Sequence, residues 1–238
     1  QGTLDNGNYS ISFVPNNFAI TQRPITITAD AGQTKIYGNS EPVFSYTPEP
    51  LGANRGLVGT DSFDGSLART AGENVGSYAI NQGTLDNGNY SISFVPNNFV
   101  ITAKAISISG ITAANKTYDG NEIAQVNTGS ATGWISGDNI AVSASGTFSD
   151  KNAGNGKTVT LTSSYSGTSV GNYTITDQST TTANITTKAL TGVTIGSSES
   201  TYGSSLNPGT VSFADSNKID SDILTASATV NTSTLSAG

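Results

Sequence analysis

Carboxylates and aromatic rings are the side chains of this sequence best placed to do chemistry. The acidic residues fall in small groups: Asp61 with Asp64, Asp119 with Glu122, Asp138 with Asp150, and Asp215 with Asp220 and Asp222. Calcium takes six to eight oxygen ligands, and loops rich in Asp and Asn can supply them. None of these runs has the spacing of an EF-hand loop, so the expectation is a chain without a cofactor, with calcium as the one ion its loops could suit. Two facing carboxylates could also serve glycoside hydrolysis, but no aromatic subsites accompany them. The chain contains no His and no Cys. Ser-His and Cys-His nucleophiles and His- or Cys-type zinc sites are therefore excluded. The glycines lie between strand-like runs rather than ahead of a helix, which leaves no phosphate cradle. The sequence reads as that of a non-enzyme.

Trp134 is the candidate ligand-binding residue. It is the sole tryptophan and lies in Gly133-Trp-Ile-Ser-Gly137. Between glycines, its ring could stand exposed and stack on a pyranose of a glycan or matrix polysaccharide. The competing reading places it in a core or an interface, where Trp is usually well buried. Tyr37, Tyr118 and Tyr202 recur at one phase, in Tyr-Gly or Tyr-Asp-Gly turns. They could form a repeated stacking platform. Recurrence at every repeat favours instead a turn tyrosine whose ring packs on a core while its hydroxyl finds a partner.

The elements that must position these residues come in repeats. Ile20-Thr-Gln-Arg-Pro-Ile-Thr-Ile27, Ile101-Thr-Ala-Lys-Ala-Ile-Ser-Ile108 and Ile185-Thr-Thr-Lys-Ala-Leu-Thr-Gly-Val193 each read as strand, short hinge, strand, with one basic residue in the hinge: Arg23, Lys104 or Lys188. Each is followed at the same interval by one of the three tyrosines. In addition, Gln1–Phe18 is identical to Gln82–Phe99, and the match continues to Thr21 with Ala19 against Val100 as its one difference. Repetition at a fixed period marks a tandem array. The expected division is 1–22 as the C-terminal end of a preceding module, 23–103 as one complete module, 104–187 as a second, and 188–238 as the first part of a third. Gln1 in place of an initiator Met fits a piece of a longer protein.

Tyr9, Ile11 and Phe13 alternate with Ser10, Ser12 and Val14, which is the period of a strand with one buried face. Pro15-Asn-Asn17 should end it, and Phe18 should begin the next. Similar alternation predicts strands at Ile25–Thr28, Val43–Tyr46, Ser66–Arg69, Val75–Ile80, Ile106–Ile108, Ile140–Val142, Gly146–Phe148, Thr158–Leu161, Gly171–Ile175 and Thr210–Phe213. Gly56–Phe63 is the one place where a single helical turn is expected. Short alternating runs with frequent turn residues predict an all-β protein.

Of the 238 residues, 11% are charged and the formal net charge is -7. A chain this acidic and this poor in Lys and Arg has no electrostatic footprint for nucleic acid, and anionic lipid should repel it. No apolar run approaches the roughly 18–20 residues that span a bilayer. Surface polarity must come from Ser, Thr, Asn and Gly, a composition that leans toward an extracellular protein.

The residues around the recurring tyrosines resemble two families. Residues 23–103, with Tyr37-Gly38, Val75-Gly-Ser-Tyr-Ala-Ile80 and the closing Phe99-Val-Ile-Thr102, resemble the MBG domain. Residues 104–187, with Lys116-Thr-Tyr-Asp-Gly120 and Phe148-Ser-Asp-Lys-Asn-Ala-Gly154, resemble the YDG domain, and 188–238 looks like part of a further MBG-type repeat. The resemblance implies small β-grasp-like or sandwich-like modules arranged as an elongated rod. Such modules recur in large secreted bacterial surface adhesins similar to filamentous haemagglutinin. The expected partners are neighbouring modules of the same chain; a glycan taken by Trp134 or the module tyrosines, and homotypic fibre contacts through strand edges at 1–22 and 188–238, are the alternatives. No catalytic residue is implied.

Overall fold

The structure is a computed structural model and describes residues 7–213, 218–219 and 222–230. It divides into two compact units, one ending at Lys104 and one beginning at Ala105. Both are built from strands. The all-β expectation holds, and the single short 3-10 turn at Val170–Asn172 is the only helical element among the described residues.

The first unit contains β1 (Arg23–Ala29), β2 (Thr34–Ile36), β3 (Tyr46–Pro48), β4 (Ala68–Arg69), β5 (Gly76–Asn81), β6 (Tyr90–Val95) and β7 (Asn98–Thr102). They form a three-stranded sheet in the order β3-β1-β6 and a four-stranded sheet in the order β2-β7-β5-β4. β1 runs parallel to β6, from Arg23 opposite Tyr90 to Thr28 opposite Val95. β2 runs parallel to β7, and β5 pairs with β7 antiparallel. The alternation in β1 puts Ile25 and Ile27 inward, where both are fully buried, and leaves Thr26 and Thr28 on the other face. Burying each isoleucine contributes about 1.5–3 kcal/mol. Tyr90, Phe99 and Ile101 join them with Leu67, Ile80 and Leu85 in one core. Phe44 meets Phe99 edge to face with ring centroids 5.2 Å apart.

The second unit contains β8 (Lys104–Ser107), β9 (Thr112–Ala113), β10 (Lys116–Thr117), β11 (Ile123–Ala124), β12 (Val126–Asn127), β13 (Ala141–Phe148), β14 (Gly154–Ser166), β15 (Tyr173–Thr176), β16 (Thr180–Thr186), β17 (Thr194–Ile195) and β18 (Val211–Ser212). Its main sheet has the order β10-β16-β14-β13-β11, and the remaining strands form the pairs β12-β9, β15-β8 and β17-β18. Phe148, Val159 and Ile185 lie on the buried face of the main sheet, and Ile111, outside it, is also fully buried.

Four expectations need correction. The strand expected at Val43–Tyr46 is instead Tyr46–Pro48, because it is this segment that pairs antiparallel with β1. Gly56–Phe63 holds no helical turn, because Gly56 and Gly59 take φ of 80° and 53°, outside the right-handed helical region. The expected strands at 140–142 and 146–148 are one continuous β13, and 158–161 is the middle of the long β14 that pairs with it. Gly146 does not break the strand. It makes room, since a Cβ there would lie 2.6 Å from Val126 Cγ2 and 2.9 Å from Val159 Cγ1. Finally, residues 7–22 contain no strand. Tyr9, Val14, Phe18 and Ile20 are exposed, while Tyr90, Phe99 and Ile101, which occupy the same places in the duplicated sequence as Tyr9, Phe18 and Ile20, are core residues. The strands β6 and β7 exist because β1, β2 and β5 pair with them, and the first copy pairs with no strand among the described residues.

Candidate functional site: tyrosines paired with turn aspartates

The Gly-Asn-Tyr sequence places a tyrosine at the start of a strand in each unit, Tyr90 on β6 and Tyr173 on β15. Both rings are buried. The Tyr90 hydroxyl donates to Asp61 Oδ2 at 2.6 Å and accepts from the Val58 N–H at 3.0 Å. The turn between these two residues closes on itself, with the Asp61 N–H donating to the Val58 carbonyl at 3.1 Å. Tyr173 repeats every part of this. It donates to Asp138 and accepts from the Ile135 N–H at 3.0 Å, while the Asp138 N–H reaches the Ile135 carbonyl at 3.2 Å. A buried hydroxyl is thus satisfied as donor and as acceptor, and a loop is pinned to a strand. The Asp61 carboxylate pushes the Tyr90 phenol above its ordinary value, because ionising it would set two anions face to face.

A third turn has the same form. The Asp222 N–H donates to the Ile219 carbonyl at 2.8 Å, and Asp222 Oδ1 receives the hydroxyl of Tyr118 at 2.7 Å. In sequence the three turns align as Leu57-Val-Gly-Thr-Asp61, Trp134-Ile-Ser-Gly-Asp138 and Lys218-Ile-Asp-Ser-Asp222. The signal that finds them is an apolar residue followed three places later by Asp. It is hidden when the aspartates are read as acidic clusters.

Trp134 therefore stands in register with Leu57, which packs on the core of the first unit. Trp134 is half-buried, in the segment between β12 and β13. Tyr37 packs against the first core, and its N–H donates to the Thr102 carbonyl at 2.9 Å. The Tyr118 N–H donates in the same way to the Thr186 carbonyl at 2.8 Å. Tyr202 departs from the expected pattern: it is exposed, in a segment whose described strands are the pair β17 and β18 alone.

Several other charged groups are tied to neighbours. Lys35 is buried and reaches Glu41 and Glu73, each at 2.7 Å. Arg69 binds the same two carboxylates at 2.5 and 2.8 Å and lies over the rings of Tyr78 and Phe99. The Arg69 guanidinium, first among several causes, draws Glu41 down to about 2. In the first hinge, Arg23 donates to the carbonyls of Gly52, Arg55 and Gly56. Lys116 holds Asp119 at 2.8 Å over the ring of Phe148, and Lys157 holds Asp150 at 2.5 Å. The expected acidic groups are thus dispersed. Asp61 and Asp138 serve tyrosines, and Asp119 and Asp150 serve lysines, whereas Asp215 and Asp220 lie outside the described residues. Among the described residues, no group of three or more acidic side chains is gathered as a metal would need.

Residues 25–100 match the family model of the MBG domain (YGX type), and residues 102–183 match that of the YDG domain. The two domains stand in tandem. No curated protein and no solved structure matches the chain.

Proposed function

We propose that this chain is a run of structural repeat modules from a secreted bacterial surface adhesin or fibre, spacing a binding region away from the cell in adhesion or biofilm formation. The observation that carries the reading is the tandem pair of MBG and YDG domains, in which Lys35, Arg69, Tyr90 and Tyr173 are engaged within their own module. The Lys35–Glu41–Arg69–Glu73 network, the Arg23 contacts and the tyrosine–aspartate pairs all fix loops to strands. Such contacts suit a spacer, in which each module must hold its own shape. A surface rich in hydroxyl and amide groups keeps a crowded fibre hydrated.

Small-angle scattering of the purified chain tests the reading. A compact particle of this length has a radius of gyration of about 18 Å. A clearly larger value with a rod-like distance distribution is expected, and the compact value would overturn the proposal.

A second reading, a glycan-binding module, is favoured by the half-exposed Trp134 in its glycine-flanked loop. Binding to a glycan and matrix-polysaccharide panel that disappears in Trp134→Ala, but persists in a variant of an unrelated surface residue, would establish it.

A further inference from the structure

We propose that the Tyr118-Asp119-Gly120 turn of the YDG domain is a docking site for the segment that follows the domain, and that it takes a turn of the form apolar-x-x-Asp. The proposal rests on the modular reading above.

Three observations meet at this turn. The hydroxyl of Tyr118 donates to Asp222 Oδ1 at 2.7 Å. Gly120, with φ of 79°, has no side chain where one would collide: a Cβ there would lie 2.6 Å from Ile219 Cγ2. Around them lies a cavity of about 280 Å³ lined by Tyr118, Ala153, Leu190, Ile219 and Leu224, with Lys188 at its wall. The glycine of the motif thus admits the apolar residue, and the tyrosine takes the carboxylate. The intervening Asp119 does not repel that carboxylate, because Lys116 already binds it at 2.8 Å.

The pairing also distinguishes the third turn from the first two. Asp61 and Asp138 are held by the buried Tyr90 and Tyr173 of their own Gly-Asn-Tyr sequences. A carboxylate offers two oxygens with several acceptor positions, so an aspartate at this place can serve a docking tyrosine on one oxygen and a tyrosine of its own module on the other. The partner chemistry is therefore specific: an aliphatic residue and an aspartate three places apart, presented by the next repeat.

Hydrogen exchange of the whole chain, followed by mass spectrometry, tests this with Tyr118→Phe, Asp222→Asn and the double variant. Each single change is expected to speed exchange in peptides covering residues 218–224 about tenfold, as loss of a hydrogen bond to a charged group would. The double variant should be no faster than either single one, and exchange across β13 and β14 should not change. Unaltered exchange at 218–224 in both single variants would overturn the proposal. So would acceleration across β13 and β14 in Tyr118→Phe alone, which would make the tyrosine a residue of the domain's own core. A compact particle in scattering with the expected exchange pattern would remove the stalk reading and leave the docking site standing.

Discussion

The hydroxyl of Tyr90 sits between the Asp61 carboxylate at 2.6 Å and the Val58 N–H at 3.0 Å, and Tyr173 occupies the same position between Asp138 and the Ile135 N–H. One fastening therefore serves two domains whose sheets differ in strand number and order. Replacing Tyr90 or Tyr173 by Phe keeps the ring in the core and removes only the bridge to the turn. Each change should lower the melting temperature of its own domain and speed amide exchange at Val58 or Ile135. The expected readouts are circular-dichroism melts and residue-resolved exchange, and wild-type behaviour in both would refute the assigned role.

The duplicated sequence gives a matched pair of substitutions. Phe99→Ala empties a fully buried site and should cost about 3–5 kcal/mol. Phe18→Ala changes the same residue in the same local sequence where it is exposed, and should stay within about 0.5 kcal/mol. Urea unfolding of both variants measures the difference. Equal effects would mean that Phe18 is also packed in a core.

Acid should weaken the first domain in a defined range. Glu41 is depressed to about 2 from an ordinary value of 4.5, with Arg69 as the leading cause. A group lowered in the folded state adds stability that is fully present above its unfolded pKa and is lost as pH falls toward its folded one. The contribution of Glu41 is therefore lost between about pH 4.5 and 2. Its side chain is more than a third exposed, so solvent screening keeps the effect modest. Melts between pH 6 and 2 should fall more steeply for the native chain than for Glu41→Gln, and parallel curves would contradict the assignment.

Gly146→Ala tests packing without backbone strain, because this glycine is not among those with positive φ. The new methyl meets Val126 and Val159 at less than van der Waals distance and should cost about 1–3 kcal/mol of the second domain's stability. A neutral result in urea unfolding would show that the hairpin of β13 and β14 has slack.

Much of the architecture was legible because strand periodicity and repetition are strong signals. Ile25 and Ile27 alternating with threonines mark β1, and the Tyr37-Gly38 and Tyr118-Asp119-Gly120 turns fall within the two matched domains. The tyrosine–aspartate pairs were not legible. Asp61 and Tyr90 are far apart in sequence, and an aspartate three places after Val58 looks like any polar loop residue until the tyrosine arrives. Strand lengths were obscured for a different reason. Ser and Thr alternate with small apolar residues across turns and strands alike, so 141–148 shows no contrast at its middle, and Gly146 mimics a break. The duplicated segment marks the deeper boundary of such reading. Tyr9–Val14 and Tyr90–Val95 carry the same residues, yet only the second is a strand, because strand pairing is set by residues remote in the chain.

The parallel register of β1 with β6 has a mechanical consequence. The chain enters the first domain at the start of β1, beside the start of β6, and leaves beyond the end of β7. Tension at the entry draws β1 backward along its length against β6 and β3, while tension at the exit falls on β7, which β2 and β5 hold in the other sheet. The bonds between Arg23–Thr28 and Tyr90–Val95 are then loaded together in shear, instead of being peeled apart one after another. Rupture under such loading requires many bonds to fail at once, so this domain should yield at a far higher force than a hairpin of equal size unzipped from its open end.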